Sequence, residues 1–258
     1  METIVVEQQD RVRIIRLNRA AEANCVNGQM AAELADAARD CDLDPSVRAV
    51  LLTGTGRFFC AGGDVKAMAS FGDRAPAGIK RIADDFHRAV STFARMQAPL
   101  VVAVNGVAAG AGFSLALIGD IVFASRTATF TMAYSRIGLS PDGSSTWYLP
   151  RLAGMRRAQE LAFTNRTVTA EEAVALGIAT SQVDPDELTA TALATARQCA
   201  AGSPESHAAI KALLLASSAN SLETQMEVEG RYISACAGTA NGREGIRAFV
   251  ERRSPRYD

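Results

Sequence analysis

Two short turns of glycine and alanine stand out as places where the main chain could do chemistry. Ala61-Gly62-Gly63 follows the apolar residues Phe58 to Cys60, and Gly110-Ala111-Gly112 precedes a predicted buried helix over 113–118. The first N–H groups of a helix have no partner within it and lie at the positive end of its dipole. Small residues also let a ligand approach the backbone closely. The turns therefore predict main-chain sites for a negatively charged oxygen.

Two other interpretations of these turns must be weighed. A helix start rich in glycine and alanine can simply pack tightly and bind nothing, and the second turn alone does not exclude this. A dinucleotide-binding loop has the same strand–turn–helix context, but only Gly110 and Gly112 fit its spacing, and no acidic residue lies about 20 positions further on. We therefore reject the dinucleotide interpretation.

Composition limits the remaining function classes. The chain has 258 residues, 48% of them hydrophobic, and a net charge of -1, which gives no electrostatic basis for nucleic-acid or membrane partners. The longest apolar stretch is too short to span a bilayer, and residues 1–10 lack the basic start of a signal peptide. Five cysteines without paired spacing are typical of a reducing compartment, so we expect a cytoplasmic protein. Its scattered histidines and cysteines predict no metal site.

Buried strands and helices alternate through the first half of the chain, which indicates an α/β fold with parallel strands. The predicted strands are 3–6, 12–17, 49–52, 100–104 and 121–124. The predicted helices in this half are 29–41 and 79–96, and residues 71–78 between them are expected to form a mobile surface loop. From about residue 144 the pattern is helical, with helices near 170–176, 186–201, 204–217, 222–237 and 242–253. Start signals at Thr169, Ser203 and Asn241 support three of these helices.

Three segments together resemble the crotonase (enoyl-CoA hydratase/isomerase) superfamily. They are Arg57 to Met68, Asn105 to Asp120 and Gly138 to Arg151. The resemblance implies a spiral of ββα units over residues 1–197 and a helical oligomerisation region over 198–258. It also implies an acyl-CoA thioester substrate and a homotrimer or dimer of trimers. No cofactor is implied, since coenzyme A is part of the substrate.

The resemblance assigns roles to both turns and to the end of the chain. In the family two backbone N–H groups hold the thioester oxygen, and the matching positions here are Gly63 and Ala111. The adenine of coenzyme A is expected against the backbone at Ala61 and Gly63 and the side chain of Val65. Two further residues match positions that reach the coenzyme A of a neighbouring subunit, namely Phe249 and Arg252. Core packing and a solvated helix end are the respective alternatives for these two.

The positions of the two hydratase glutamates hold Ser114 and Tyr134, neither of which can act as a carboxylate base. The carboxylate left in this region is Asp142. In Pro141-Asp142-Gly143 it is first of all a turn residue. However, residues 132–154 closely resemble the epoxyphenylacetyl-CoA and enoyl-CoA isomerases of phenylacetate breakdown, in which the aspartate at this position is the acid/base. The resemblance thus predicts an isomerase in which Asp142 moves a proton.

The surroundings of that carboxylate complete the prediction. Ile137, Leu139 and Trp147 flank it in the sequence, and we expect their burial of the carboxyl to raise its affinity for a proton. The resemblance further places Tyr134, Ser114 and Trp147 around the acyl group, where an aromatic and apolar lining favours a ring or an unsaturated chain.

Three alternatives remain open. Chlorobenzoyl-CoA dehalogenases of the family use an aspartate at the position of Asp142 as a nucleophile, together with a histidine that matches Ser91 here. His87 lies one turn earlier on the same helix and is predicted to be a surface residue. Hydrolase or hydratase activity is the second alternative, and a crotonase that binds acyl-CoA without turning it over is the third.

Overall fold

The computed structural model describes residues 1–258, which form two sheets wrapped by helices. The first sheet has six strands in the spatial order β1, β2, β3, β5, β7, β10, and the second has four in the order β4, β6, β8, β9. In chain order the ten strands β1 to β10 are Ile4–Gln9, Val12–Leu17, Ala49–Gly54, Phe58–Cys60, Leu100–Val104, Val107–Ala109, Ile121–Ser125, Thr129–Thr131, Val168–Thr169 and Ser181–Val183.

A ββα unit is repeated along the chain and builds both sheets. In each repeat one strand joins the first sheet and the next joins the second, as β3 with β4, β5 with β6, and β7 with β8 do. The pairs within the first sheet are parallel apart from the hairpin of β1 and β2. All five residues of β5 are buried, as expected for a strand covered on both faces. The α/β spiral predicted from the family resemblance is thus confirmed.

The short strands β6, β8 and β9 of the second sheet are not among the strands predicted from the sequence. Val107–Ala109, for example, pairs in parallel with β4 on one side and β8 on the other. A strand of three residues is too short to show a period of two, so only its neighbours in space define it. Its position matters because it ends at Gly110, directly before the second turn.

Eleven helices, α1 to α11 in chain order, complete the fold. They are Gly28–Leu43, Val65–Ala69, Ala75–Arg95, Ala111–Leu117, Ser145–Ala153, Met155–Thr164, Ala170–Ala175, Leu188–Ala200, Pro204–Ser217, Leu222–Gly238 and Ala240–Val250. The side chains of Thr169 and Ser203 cap α7 and α9 as predicted. The predicted division after residue 197 lies inside α8, whose buried residues pack on the first sheet.

Two predictions about helix ends are wrong. Residues 71–78 form a 3-10 turn followed by the start of α3, because Pro76 fits the first turn of a helix and the Phe71 ring packs against Gly78. Helix α11 is capped by Thr239, which accepts from the Gly242 N–H at 2.9 Å. The side chain of Asn241 instead donates to Glu205 and to the carbonyl of Asp258.

The last helices leave many apolar side chains uncovered. None of the residues of α10 is buried, and Ile233 retains 74% of its accessible surface. On neighbouring helices Leu214 and Phe249 are also exposed. No helix of the chain combines the length and the apolar character needed to cross a membrane.

Candidate active site

A cavity of about 510 Å³ lies where the two small-residue turns meet the segment around Asp142. Thirteen of its 21 lining residues are hydrophobic, among them Ile82, Phe86 and Leu139. Six residues singled out in the sequence line it together: Ala61, Gly63, Val65, Ala111, Tyr134 and Asp142. Asp142 is the only acidic residue in the lining, so the cavity combines an apolar wall with one carboxylate.

The peptide between Gly62 and Gly63 is held in place by Val26. The Gly62 carbonyl accepts a hydrogen bond of 2.8 Å from the N–H of Val26, while Gly63 lies in a parallel bridge with the same residue. Because the peptide unit is planar and trans, the N–H of Gly63 points away from the carbonyl of Gly62. This N–H donates to no acceptor in the chain, so it is free to serve a ligand.

The second turn depends on a backbone conformation that only glycine adopts readily. Gly110 has φ 50° and ψ -120°, and it directly precedes α4. Its carbonyl accepts the Ser114 N–H at 3.0 Å, whereas the N–H of Ala111 begins the helix and has no acceptor within it. The turns are in contact, since a methyl group added to Gly110 would lie 3.6 Å from the Gly62 Cα. Two distant parts of the chain thus bring Gly63 and Ala111 to one cavity.

The backbone of Asp142 does have the turn role that its sequence context suggests. Its carbonyl accepts from the hydroxyl of Ser145 at 2.9 Å and lies 2.9 Å from the hydroxyl of Ser114, and so closes the turn before α5. Gly143 has φ 60°, and a Cβ there would lie 2.5 Å from the Phe86 ring. The main-chain atoms of Asp142 therefore have a structural role, whereas its carboxyl group takes no part in closing the turn.

The Asp142 carboxyl is less buried than the sequence suggested. Its side chain retains 33% of its accessible surface. Tyr134 donates to Oδ1 at 2.8 Å, and Oδ2 accepts no hydrogen bond. Burial, reinforced by the charge of Asp142, raises the pKa of Tyr134, so that its hydroxyl keeps its hydrogen at neutral pH.

His87 is a surface residue, as predicted, and it also contacts the turn that carries Asp142. Its Nε2 accepts the N–H of Gly143 at 3.1 Å and lies 3.7 Å from Asp142 Oδ2. The side chain is 48% exposed, as a surface residue would be, but it covers the turn that carries the carboxylate. Its place next to buried Phe86, at the edge of the apolar stripe of α3, was the available indication. The position assigned by resemblance, Ser91, instead accepts a hydrogen bond from Arg95.

Four other predicted residues lie outside this cavity. Ser114 is completely buried beneath the lining of the cavity, and its Oγ lies 2.8 Å from the hydroxyl of Tyr134. Trp147 lines a second cavity of about 530 Å³ that also includes His87, and the Arg151 guanidinium stacks 3.9 Å from its ring centroid. Trp147 lies on α5, which starts after Ser144, a residue with a φ of 68°. Phe249 and Arg252 are exposed, and their contact with the coenzyme A of a neighbouring subunit remains a prediction. No group of three or more potential metal ligands is present.

Comparison with protein families agrees with this geometry. The family described as enoyl-CoA hydratase/isomerase matches residues 7–258. The chain belongs to this family. The finding confirms the resemblance seen in the sequence, and it makes an acyl-CoA substrate consistent with the cavity described above.

Individual members of the enoyl-CoA hydratase/isomerase family that resemble the chain differ in the reactions their names state. A 1,2-epoxyphenylacetyl-CoA isomerase of Escherichia coli (strain K12) is 38% identical, covering 100% of this chain and 98% of that protein. A 4-chlorobenzoyl coenzyme A dehalogenase of an Arthrobacter species is 32% identical, covering 95% and 90%. The crystal structure of an enoyl-CoA hydratase from Polaromonas sp. JS666 superimposes with a TM-score of 0.95, at 32% identity over 99% of both chains. Family membership is therefore established, but it does not decide which of these reactions the chain catalyses.

Proposed function

We propose that the protein is an acyl-CoA isomerase that moves a double bond, or rearranges a ring, in an unsaturated or aromatic-derived CoA thioester. The observation that carries the proposal is the single acid of the cavity, Asp142, beside two turns whose N–H groups are available to a ligand. Ordinary hydration in this family employs two glutamates, and their positions hold Ser114 and Tyr134. One carboxylate is sufficient for a proton shuttle, in which the same group takes a proton and returns it.

The proposed reaction has two steps. Asp142 removes a proton from the carbon next to the thioester, and the electrons of the broken C–H bond move to the carbonyl oxygen. The N–H groups of Gly63 and Ala111 hold the enolate oxygen, and one such donor is commonly worth about 3 kcal/mol of transition-state stabilisation. The protonated carboxyl then delivers the proton to the fourth carbon of the acyl chain, so the double bond moves from between the third and fourth carbons to between the second and third, and no atom is gained. No cofactor enters this scheme, in which coenzyme A is part of the substrate.

Product mass and absorbance distinguish isomerisation from the other reactions. We expect 3-enoyl-CoA to be converted into conjugated 2-enoyl-CoA with unchanged mass and increased ultraviolet absorbance. Hydration would add one water to 2-enoyl-CoA, and hydrolysis would release free coenzyme A. If either product forms faster than the isomer, the isomerase proposal is wrong. If nothing forms while 3-enoyl-CoA still binds, the chain is an acyl-CoA-binding member of the family.

Dehalogenation is the second candidate, and the place of His87 favours it. A nucleophilic aspartate needs a base for the water that releases it, and His87 Nε2 lies 3.7 Å from Asp142 Oδ2. However, the Gly143 N–H occupies the lone pair of Nε2 at 3.1 Å, so that nitrogen has no free site for a proton from water. Chloride release from 4-chlorobenzoyl-CoA, lost in His87→Gln, would establish this candidate instead. Retained isomerase activity in His87→Gln is the result we expect.

We also propose that residues 198–258 mediate assembly into a homotrimer or dimer of trimers, which matches the uncovered apolar face of the last helices. A groove of about 500 Å³ between α9 and α10 is lined mainly by hydrophobic residues, including Ile210, Met226 and Ile233. Sedimentation should give a mass three or six times that of the chain. Ile233→Asp should shift it toward the monomer, whereas a monomeric wild type would contradict the proposal.

A further inference from the structure

Two hydroxyl groups, one buried and one half-buried, form a hydrogen-bonded chain that ends on one oxygen of Asp142. The Oγ of Ser114 lies 2.8 Å from the hydroxyl oxygen of Tyr134, which in turn lies 2.8 Å from Asp142 Oδ1. Ser114 is fully buried, and its Oγ also lies 2.9 Å from the Asp142 carbonyl and 3.3 Å from the Gly110 carbonyl. The same serine therefore touches both the turn that carries the carboxylate and the turn that precedes Ala111.

Because each hydroxyl has only one hydrogen, the direction in which Ser114 and Tyr134 donate can be worked out. An ionised carboxylate accepts hydrogen bonds only, whereas each hydroxyl has one hydrogen to donate. Two oxygens 2.8 Å apart need a hydrogen between them, and the carboxylate has none, so the hydrogen of Tyr134 points to Oδ1 of Asp142. The hydrogen of Ser114 is left for the phenol oxygen or for one of the two carbonyls, and Ser114 cannot receive the hydrogen of Tyr134 at the same time.

The second oxygen of the carboxylate is left without a donor. The Nε2 of His87 lies 3.7 Å from Asp142 Oδ2. That nitrogen already accepts the Gly143 N–H, so in this arrangement it has no hydrogen to offer to Oδ2. The two oxygens of one carboxylate are therefore chemically different before any substrate arrives.

We propose that Tyr134 is a positioning residue that reserves Oδ1 as a hydrogen-bond acceptor, so that Oδ2 alone takes the substrate proton and returns it. This inference rests on the isomerase function proposed above. In the first step a C–H bond breaks and an Oδ2–H bond forms. In the second step that O–H bond breaks and the C–H bond of the product forms, while Tyr134 keeps its own hydrogen throughout.

Replacing the tyrosine by phenylalanine keeps the ring and removes the donor. In Tyr134→Phe we expect kcat to fall roughly tenfold with KM within about twofold, because the carboxyl group is no longer held through Oδ1 and presents Oδ2 to the substrate less often. The acidic limb of the kcat profile should also move to higher pH, because the charged carboxylate has lost its only donor. Tyr148→Phe is the matched control, since Tyr148 lines the second cavity, shares no hydrogen bond with Asp142 and should leave both measurements unchanged.

A measurement without substrate separates this inference from the proposed function. Carboxyl carbons labelled with ¹³C in aspartate are titrated by NMR, and the Asp142 signal is assigned by its loss in Asp142→Asn. We expect its midpoint to rise in Tyr134→Phe and to stay in place in Tyr148→Phe. If neither this midpoint nor the acidic limb moves in Tyr134→Phe, Tyr134 only packs and the inference is wrong. If the midpoint moves but the wild type isomerises no thioester, the positioning role stands and the proposed function fails.

Discussion

Two aspartates of this protein have nearly the same exposure and opposite surroundings. The side chain of Asp142 is 33% exposed and that of Asp120 is 32% exposed. Asp120 Oδ2 binds Lys211 Nζ at 2.7 Å and accepts the Leu100 N–H at 2.7 Å, so its charge is neutralised. Asp142 has the single hydroxyl of Tyr134 at 2.8 Å and no paired cation. Exposure therefore does not separate a structural carboxylate from a reactive one, whereas the donors around it do.

The Asp120 cluster holds the last part of the chain to the core. The Lys211 side chain is 6% exposed, and its ammonium also donates to the carbonyls of Phe93 and Ala98 at 2.9 and 3.2 Å. Through these bonds α9 is fixed to the end of α3 and to the segment that leads into β5. Every hydrogen of the ammonium has a partner, and none is left for a ligand. The Asp142 cluster, in contrast, leaves one carboxylate oxygen unbound.

The largest expected effect comes from removing the charge of Asp142. Asp142→Asn should lower kcat for isomerisation roughly a thousandfold, since a positioned acid/base contributes about 10²- to 10⁴-fold. Its melting temperature and its affinity for a CoA thioester should match those of the wild type, because the backbone of Asp142 closes the turn. Stopped-time product assays, differential scanning fluorimetry and calorimetric titration give the three values. A folded variant that keeps most of its kcat would remove Asp142 from the mechanism.

The matched substitution at Asp120 should give the reverse result. Asp120→Asn leaves the nearly buried ammonium of Lys211 without its counter-charge, and breaking such a pair commonly costs about 3 kcal/mol or more. We expect a lower free energy of unfolding in urea, with kcat per folded molecule unchanged. If Asp120→Asn lost activity without losing stability, the contrast between the two carboxylates would not hold.

The backbone of the site provides a third way to test the contrast. Gly110→Ala has room for the new methyl group, whose nearest neighbour would be 3.6 Å away, but it forces alanine into φ 50° and ψ -120°. Relief of this strain would rotate the peptide that carries the Ala111 N–H, and we expect kcat to fall roughly thirtyfold, which is about 2 kcal/mol. The acidic limb of the pH profile should stay in place, since no group around the Asp142 carboxyl has changed.

Gly154→Ala is the control for strain alone. Gly154 has φ 80° and ψ 154°, has open space around its Cα, and joins α5 to α6 away from the cavity. This variant should lose stability to a similar degree without losing kcat. Equal kcat losses in the two alanine variants would mean that the Gly110 effect is a general loss of stability.

The backbone half of the site could be predicted from the sequence, and the side-chain half only in part. The turns at Gly63 and Ala111 could be located because their small residues stand out in the local composition. The neighbours of Asp142 could not, because His87 meets Gly143 across 56 positions of the chain. Helical periodicity gives the face of α3 on which His87 lies, but not which loop packs there.

The strand and the side chain that the sequence did not place also depend on contacts between distant segments. The strand Val107–Ala109 is defined by two parallel neighbours, and no pattern of three residues announces it. Trp147 lines the second cavity together with His87 and Leu215, which lie far from it in the sequence. Of the fold, then, the long strands, most helices and two caps were predictable, and the exceptions depend on contacts between distant segments.

The smallest expected effect concerns a carboxylate that has several donors but no cation. Glu33 Oε2 accepts the Thr3 hydroxyl at 2.7 Å and the Thr3 and Ile4 N–H groups at 2.9 and 3.2 Å. Its slight burial would raise the pKa, but these bonds and that from the Glu2 N–H outweigh it and lower the pKa of Glu33 from 4.5 to about 2. If donors alone make a carboxylate structural, Glu33 should stabilise the fold as Asp120 does, only less.

Glu33→Gln should therefore lower the free energy of unfolding at pH 7 by about 1 kcal/mol, because solvent screening reduces the value of about 3 kcal/mol that the shift alone would give. The folded-state pKa is depressed, so the stabilisation is complete above pH 4.5 and is lost as the pH falls toward about 2. Urea unfolding of both proteins at pH 7 and pH 3.5 measures this, and the difference should narrow at the lower pH. Glu7→Gln, which breaks only a surface pair with Arg16 at 2.7 Å, should cost less at both pH values. A difference for Glu33→Gln that stays constant with pH would mean that packing, rather than the charge on the carboxylate, joins the first strand to α1.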